Sequence, residues 1–201
     1  MMSSPKANPA PAEAETKRER TRKKLIAAAA VLFQARGIHA VSLDEVAAHA
    51  GVTKGAIYGN FESKDDLVYA VAVSFGRRPR PIFNGNDPVV DQLKRLVAEA
   101  SVKTPAEVKR LTFLTELDLF VLTHADVRKR MYKLAHERYR EAAKALAQVA
   151  KPGELPLPPL EFAIVVHAMF NGLLYQRAIW PEVVTDEVIL AALRALVSNR
   201  R

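Results

Sequence analysis

The chain has 201 residues, of which 49% are hydrophobic and 26% charged, the balance of an ordinary soluble globular protein. It contains no cysteine, which excludes disulfides, thiolate metal sites and cysteine nucleophiles. The net charge is +8, and residues 1–80 carry 13 Lys/Arg against 8 Asp/Glu. The basic excess is densest in residues 17–24, which would suit a polyanion such as a DNA backbone or would simply form a solvated surface.

The first 15 residues are rich in Pro, Ala, Ser and Glu, so residues 1–15 are predicted to form a disordered tail without a secretory signal. The rest of the chain has the apolar spacing of helices and no sustained period-two alternation that would indicate a sheet. No apolar run reaches the roughly 18 residues of a membrane span. A cytoplasmic protein without membrane contact is therefore expected.

Four helices are predicted in the first part of the chain, and most begin at a Ser or Thr followed three residues later by an acidic residue. Thr16 with Glu19 and Ser42 with Glu45 form capping boxes. Glycines end the first two of these helices. The predicted ranges are Thr16 to Arg36, Ser42 to Gly51, Thr53 to Phe61, and Ser63 to about Gly76.

Prolines and an Asn-Gly pair within residues 77–88 break the helical pattern and predict a domain boundary. Five further helices are expected, at 88–103, 105–122, 126–150, 159–179 and 186–198. Residues 111–122 are apolar almost all round, which predicts a helix buried in the domain centre. The fold class predicted is all-α with about nine helices: a three-helix N-terminal domain (16–62), a connecting helix (63–78) and a C-terminal helical domain (79–201).

The segment from Ser42 to Phe61 has the layout of a helix-turn-helix, with a turn at Gly51 between two short helices. Val52, Ile57 and Phe61 are expected to pack inward. The outward side of the second helix then begins with a hydroxyl and a lysine, which suits a DNA major groove. An ordinary three-helix core with a polar surface is the alternative. The residues expected to face outward are Thr53, Lys54, Gly55, Tyr58, Gly59 and Asn60.

These residues resemble the DNA-binding domain of the TetR/AcrR family of bacterial transcriptional regulators. The most specific part is Gly-Val-Thr-Lys-Gly-x-x-Tyr-x-x-Phe at 51–61, followed by Ser-Lys at 63–64. The likeness extends over about fifty residues from Thr21. It implies a transcriptional regulator, with an N-terminal DNA-binding domain and C-terminal helices that bind a ligand and dimerise.

The resemblance also implies which side chains touch double-stranded operator DNA, whether at phosphates or at base edges. The residues at these positions are Thr21, Arg22, Ser42, Thr53, Lys54, Gly55, Tyr58, Asn60 and Lys64. The sequence departs from the family after Tyr58, where bulky residues are usual and Gly59 and Asn60 stand instead. Gly59 lowers helix propensity by roughly 1 kcal/mol, while Asn60 is able to hydrogen-bond adenine or phosphate.

For the C-terminal helices the resemblance implies an effector site, a homodimer and a palindromic operator. The effector is expected to be a largely apolar small molecule, although each lining residue would equally suit a core. The candidate lining residues are Phe113, Glu116, Leu117, Phe120, Met131, His167, Phe170 and Tyr175. The candidate dimer interface, for which packing within one chain is the alternative, is Val165, Ala168, Met169, Gly172, Leu173, Val188, Ala191, Ala192 and Ala195.

Glu116 and Asp118 lie within an apolar helix, where an unpaired carboxylate is costly. Pairing with Arg138, Arg177 or another basic residue is expected, and recognition of a cationic ligand is the alternative. Two other functions stay open: a DNA-binding regulator without an effector, and an all-helical enzyme. The sequence has no P-loop, no nucleophile elbow and no metal-binding histidine spacing, so neither enzymatic activity nor a cofactor or metal is expected.

Overall fold

Nine α-helices and no strand are present in the part of the chain that the computed structural model describes, residues 16–75, 83, 87–99 and 104–197. The all-α prediction is confirmed. The helices are α1 (Lys17–Arg36), α2 (Leu43–His49), α3 (Lys54–Tyr58), α4 (Lys64–Ser74), α5 (Val89–Glu99), α6 (Pro105–Thr123), α7 (Ala125–Val149), α8 (Pro159–Ile179) and α9 (Asp186–Val197). The predicted tail and most of the predicted domain boundary lie outside the described residues.

The helix starts agree with the predicted caps. Thr16 and Ser42 each accept a hydrogen bond from the backbone N–H three residues on, and the glutamate there bonds back to the cap. The prediction for α3 was too long, because this helix ends at Tyr58 and not at Phe61. Gly59 occupies the C-cap of α3, and its low helix propensity accounts for the early end.

The first hydrophobic cluster joins the four N-terminal helices to α6 and the start of α7. Phe33, Ile57, Phe61 and Leu67 are fully buried in it. Each such side chain stabilises the fold by roughly 1.5–3 kcal/mol through burial. The buried residues that α6 and α7 add are Phe113, Leu117, Phe120 and Val127.

The second cluster is built from Phe83, α5, α8, α9 and the second half of α7. Phe162 packs near Phe83, with ring centroids 6.1 Å apart. Helix α7 takes part in both clusters, since Val127 lies in the first and Leu146 in the second. No helix in the described ranges combines the length and apolar character needed to cross a membrane.

Helix α6 is buried on one side only, so the prediction of a fully buried central helix is wrong. Phe113, Leu117 and Phe120 are buried, but the side chains of Leu119 and Leu122 are 60% and 64% exposed. Residues spaced by three or four positions share a face of a helix. The opposite face of α6 therefore points away from both clusters in the single chain, despite its apolar composition.

Glu116 has a different partner from the basic side chain that was expected. Its carboxylate accepts a hydrogen bond from the Ile38 backbone N–H at 2.6 Å. It also lies against Gly37, where a Cβ would come within 3.2 Å of Oε1 and where φ is 85°. Arg177, one of the arginines expected beside it, instead pairs with Asp186 of α9. Glu116 thus ties α6 to the turn between α1 and α2.

Replacing Glu116 by Leu should lower the free energy of unfolding by about 1–3 kcal/mol, because the amide of the fully buried Ile38 would lose its acceptor. Glu116→Gln keeps an acceptor oxygen, so it should lower the free energy of unfolding by less than Glu116→Leu does. Urea unfolding followed by circular dichroism measures the difference. The exposed Glu137→Leu on α7 is the control, and equal stability of the Leu and Gln variants at 116 would contradict this assignment.

Candidate nucleic-acid interface

The α2–turn–α3 unit is held to the protein by its own apolar side. Ile57 and Phe61 are buried and Val52 is half-buried, which confirms the predicted inward face. The turn passes through Gly51, whose φ of 66° is in the left-handed region that favours glycine. Thr53 caps α3, and its hydroxyl accepts a hydrogen bond from the Ala56 N–H.

The outward side of α3 is polar and open. Thr53, Lys54 and Gly55 are exposed, and Tyr58 presents 56% of its surface to solvent. An exposed tyrosine on a short helix has little packing role, whereas it suits contact with a partner. Asn60 differs from the expected outward position, because it is half-buried and its amide nitrogen donates to the Ala56 carbonyl at 2.8 Å.

Asp44, in the first turn of α2, reaches across to α3. Its carboxylate is 2.6 Å from Lys54 Nζ and accepts a longer hydrogen bond, 3.4 Å, from the Tyr58 hydroxyl. The hydrogen bond and the charge of Asp44 raise the pKa of the Lys54 ammonium above its ordinary value. Asp44 is not among the residues that the sequence predicts as contacts, since an acidic residue at a helix start already has a local explanation.

Two arginines of α1 bind the C-terminal end of α3. The Arg18 guanidinium donates to the Gly59 carbonyl at 3.2 Å, and Arg22 donates to the Asn60 carbonyl at 2.8 Å. The Arg22 guanidinium also lies 4.3 Å from the centre of the Phe61 ring. Cations are favourable at a helix C-terminus, so both arginines fasten α3 to α1. Arg18 was not among the predicted site residues. Its spacing of four residues from Arg22, which places both on one face of α1, is the sequence signal that could have indicated it.

Two of the remaining predicted contacts, Ser42 and Lys64, line one groove together with Tyr58. This groove of about 440 Å³ is also lined by Asp44. The Ser42 hydroxyl donates to Glu45, and Lys64 Nζ donates to the His39 carbonyl at 3.1 Å. Burial lowers the pKa of the Lys64 ammonium. Thr21 bonds locally, its hydroxyl donating to the Lys17 carbonyl.

The candidate effector residues are divided among several places. Phe113, Leu117, Phe120 and Met131 belong to or pack against the first hydrophobic cluster, whereas Phe170 belongs to the second. Between α7 and α8, His167 Nδ1 lies 2.5 Å from the Tyr139 hydroxyl. Glu116 binds the Ile38 amide, and Tyr175 is 48% exposed.

Most of the candidate dimer residues on α8 and α9 are exposed in the single chain. Met169, Leu173 and Ala192 are half-buried, and the first two pack against the second cluster. At Gly172 an added Cβ would meet no atom within 4 Å. The exposed members are Val165, Ala168, Gly172, Val188, Ala191 and Ala195.

Comparison with known proteins identifies relatives of both the N-terminal segment and the longer chain. The family model of "Bacterial regulatory proteins, tetR family" matches residues 25–71. The HTH-type transcriptional regulator SrpR of Pseudomonas putida is 29% identical over 165 residues, covering 79% of this chain and 75% of SrpR. The HTH-type transcriptional regulator TtgR, also of Pseudomonas putida, is 27% identical over 174 residues, covering 82% of this chain and 83% of TtgR.

A solved structure has the same fold. The reduced form of E. coli NemR matches with a TM-score of 0.67 and 21% identity, over 89% of this chain and 98% of NemR. The likeness therefore extends through the C-terminal helices, beyond the segment that carries the helix-turn-helix.

The cap of α2 should make the stability of the protein depend on pH. Hydrogen bonds from the Ser42 backbone and hydroxyl, and from Arg36, hold the pKa of Glu45 at about 2, below its usual 4.5. A carboxyl whose pKa is lower in the folded state stabilises the fold above its unfolded pKa, and this contribution is lost as the pH falls. Glu45→Gln should therefore flatten the fall in Tm between pH 4.5 and pH 2.

Thermal melts across that pH range measure the effect. The exposed Glu62→Gln provides the same change of charge in the same domain and should leave the pH dependence as it is in the parent protein. A Glu45→Gln curve that runs parallel to the parent curve would contradict the role of this cap.

Proposed function

Because the chain belongs to the TetR family of bacterial transcriptional regulators, we propose that it is a homodimeric repressor that binds a palindromic operator and leaves it when a small-molecule effector binds. The observation that carries the proposal is the outward face of α3. This face offers Thr53, Lys54 and Tyr58 on a helix that buried apolar residues and two arginines hold in place. Such a regulator acts on the bacterial chromosome, and hence in the cytoplasm.

In the proposed complex α3 enters the major groove with its N-terminal end toward the DNA. Lys54 and Tyr58 reach phosphates or base edges, and Gly55 lets the backbone come close. Ser42 and Lys64 border the same groove of the protein and approach the DNA backbone. Thr21 and Arg22 are further candidates from α1, and Asn60 would contact DNA only after its amide leaves the Ala56 carbonyl.

The proposed dimer forms through the uncovered faces of α8 and α9. Small residues such as Ala168 and Gly172 would let two copies of α8 approach closely, and Val165 and Val188 would supply apolar contact. Four helices, two from each copy, would then form the interface. A two-fold dimer presents two copies of α3, which explains why the proposed operator is palindromic.

The proposed effector acts through contacts that join the C-terminal helices to the DNA-binding helices. Glu116 of α6 binds the Ile38 amide, and Arg130 of α7 pairs with Asp66 of α4 at 2.8 Å. The Arg130 guanidinium also lies 3.7 Å from the centre of the Tyr69 ring. A ligand that moves α6 or α7 would therefore shift α1 and α4. We propose that the effector is largely apolar and contacts residues among Phe113, Glu116, Leu117, Phe120, Met131, His167, Phe170 and Tyr175.

Selection of bound fragments from sheared source-genome DNA, at near-physiological salt, should enrich one palindrome. Lys54→Ala should weaken operator binding and reduce the slope of log affinity against log salt by about 1, if Lys54 meets a phosphate. Lys94→Ala is the control, because Lys94 is also an exposed lysine beside an aspartate, 2.7 Å from Asp91, but on α5.

Unchanged operator affinity in Lys54→Ala would contradict the assignment of α3. Binding that is independent of sequence would instead favour a regulator without an effector or an operator of its own. The gene beside an enriched palindrome indicates which compounds to test as effectors.

Ala168→Arg should convert the proposed dimer to a monomer, because it places an unpaired charge in an apolar interface. Light scattering coupled to size exclusion measures the mass, and operator affinity should fall together with dimerisation. Ala147→Arg is the control, since Ala147 is an exposed alanine on α7. A stable dimer in Ala168→Arg would rule out this interface.

A further inference from the structure

Asp44 places a negative charge inside a surface that is otherwise suited to bind a polyanion. Its side chain is 42% exposed and lines the same groove as Ser42, Tyr58 and Lys64. Its two carboxylate oxygens bind the two longest polar side chains of α3, one oxygen to each. An acidic group at this point weakens general attraction to DNA, so its geometry requires an explanation beyond the start of α2.

We propose that Asp44 is a positioning residue that makes DNA binding by α3 selective, by holding Lys54 and Tyr58 in one arrangement and away from free contact with phosphate. This inference rests on the proposed DNA-binding function and names the residue that sets its specificity. The proposed effect of Asp44 is on the ratio of operator affinity to random-DNA affinity, rather than on operator affinity alone.

Lys54 has more hydrogen-bond donors than Asp44 uses. An ammonium group has three N–H donors, and Asp44 takes one of them at 2.6 Å. The other donors remain available because the Lys54 side chain is 73% exposed. A correctly placed operator can use these donors while the ion pair stays intact. On random DNA, attraction to phosphates supplies nearly all of the binding, and there the negative charge of Asp44 beside the ammonium offsets the attraction of Lys54 for a phosphate.

At Tyr58, Asp44 fixes the direction of the hydroxyl proton. The Tyr58 hydroxyl donates to Asp44, which leaves its oxygen as an acceptor. Phosphate oxygens only accept, so they cannot use that oxygen. The amino groups of adenine and cytosine in the major groove are donors and can. Asp44 therefore favours base contact over phosphate contact at Tyr58.

The test compares affinity for an operator duplex with affinity for a random duplex of equal length, across a series of salt concentrations. Asp44→Asn removes the charge at nearly the same size, and Asp44→Ala removes both the charge and the acceptors. In each variant, affinity for random DNA should rise several-fold, with a salt slope steeper by about 0.9, equivalent to one more phosphate contact. Operator affinity should change less, so the ratio of the two affinities should fall.

Two controls separate this effect from a general loss of negative charge. Asp65→Asn makes the same charge change at the start of α4 and should raise both affinities alike, leaving the ratio unchanged. In a Lys54→Ala background, Asp44→Asn should no longer steepen the salt slope, because the released lysine is absent. Thermal melts check that the Asp44 variants fold.

Each outcome decides between the inference and the proposed function. If the parent protein prefers its operator and Asp44→Asn keeps the same ratio, as Asp65→Asn does, then the role of Asp44 is overturned and the proposed function stands. A steeper slope that persists in the Lys54→Ala background also overturns it. If the parent protein shows no preference for any operator, both proposals fail.

Discussion

A helix of five residues cannot hold its shape in water alone, so the attachment of α3 to α1 is the constraint on which the rest of the molecule depends. Ile57 and Phe61 bury the inner side of this segment, and Arg18 and Arg22 bind its last carbonyls. Apolar burial attaches the inner side of this segment, whereas the arginines attach the carbonyls at its C-terminal end. Contacts on the inner side and at the C-terminal end of α3 therefore hold its exposed face in place, although few of its own residues are buried.

Several basic side chains of the DNA-binding helices are bound to acceptors within the protein. Arg18 and Arg22 belong to the basic tract of α1, yet both hydrogen-bond to the end of α3 within the protein. Lys54 is paired with Asp44, and Lys64 is bonded to the His39 carbonyl. A count of basic residues therefore overstates the number of cations that are ready to meet phosphates. Such pairing favours selective binding, because cations without a partner in the protein bind the phosphates of any DNA sequence.

The two hydrophobic clusters do not follow the order of the chain. Helix α6 comes after the proline-rich segment, but its buried residues Phe113, Leu117 and Phe120 pack with α1 and α4. Helix α7 then links this cluster to the second one. A hydrogen bond at Glu116 and an ion pair at Arg130 lie at the same junction. Movement in the C-terminal helices would therefore reach the DNA-binding helices through packed contacts.

The sequence by itself determined the helical class, the starts of the helices and the inner and outer sides of α3. These features depend on neighbours three or four residues apart, as in the caps of Thr16 and Ser42. Only the tertiary structure decided that Glu116 binds the Ile38 amide, that Arg22 binds the Asn60 carbonyl and that Asp44 holds Lys54. The partners in these contacts are 78, 38 and 10 residues apart in the chain. The periodicity of the sequence does not predict such contacts, because they form only when helices pack against one another.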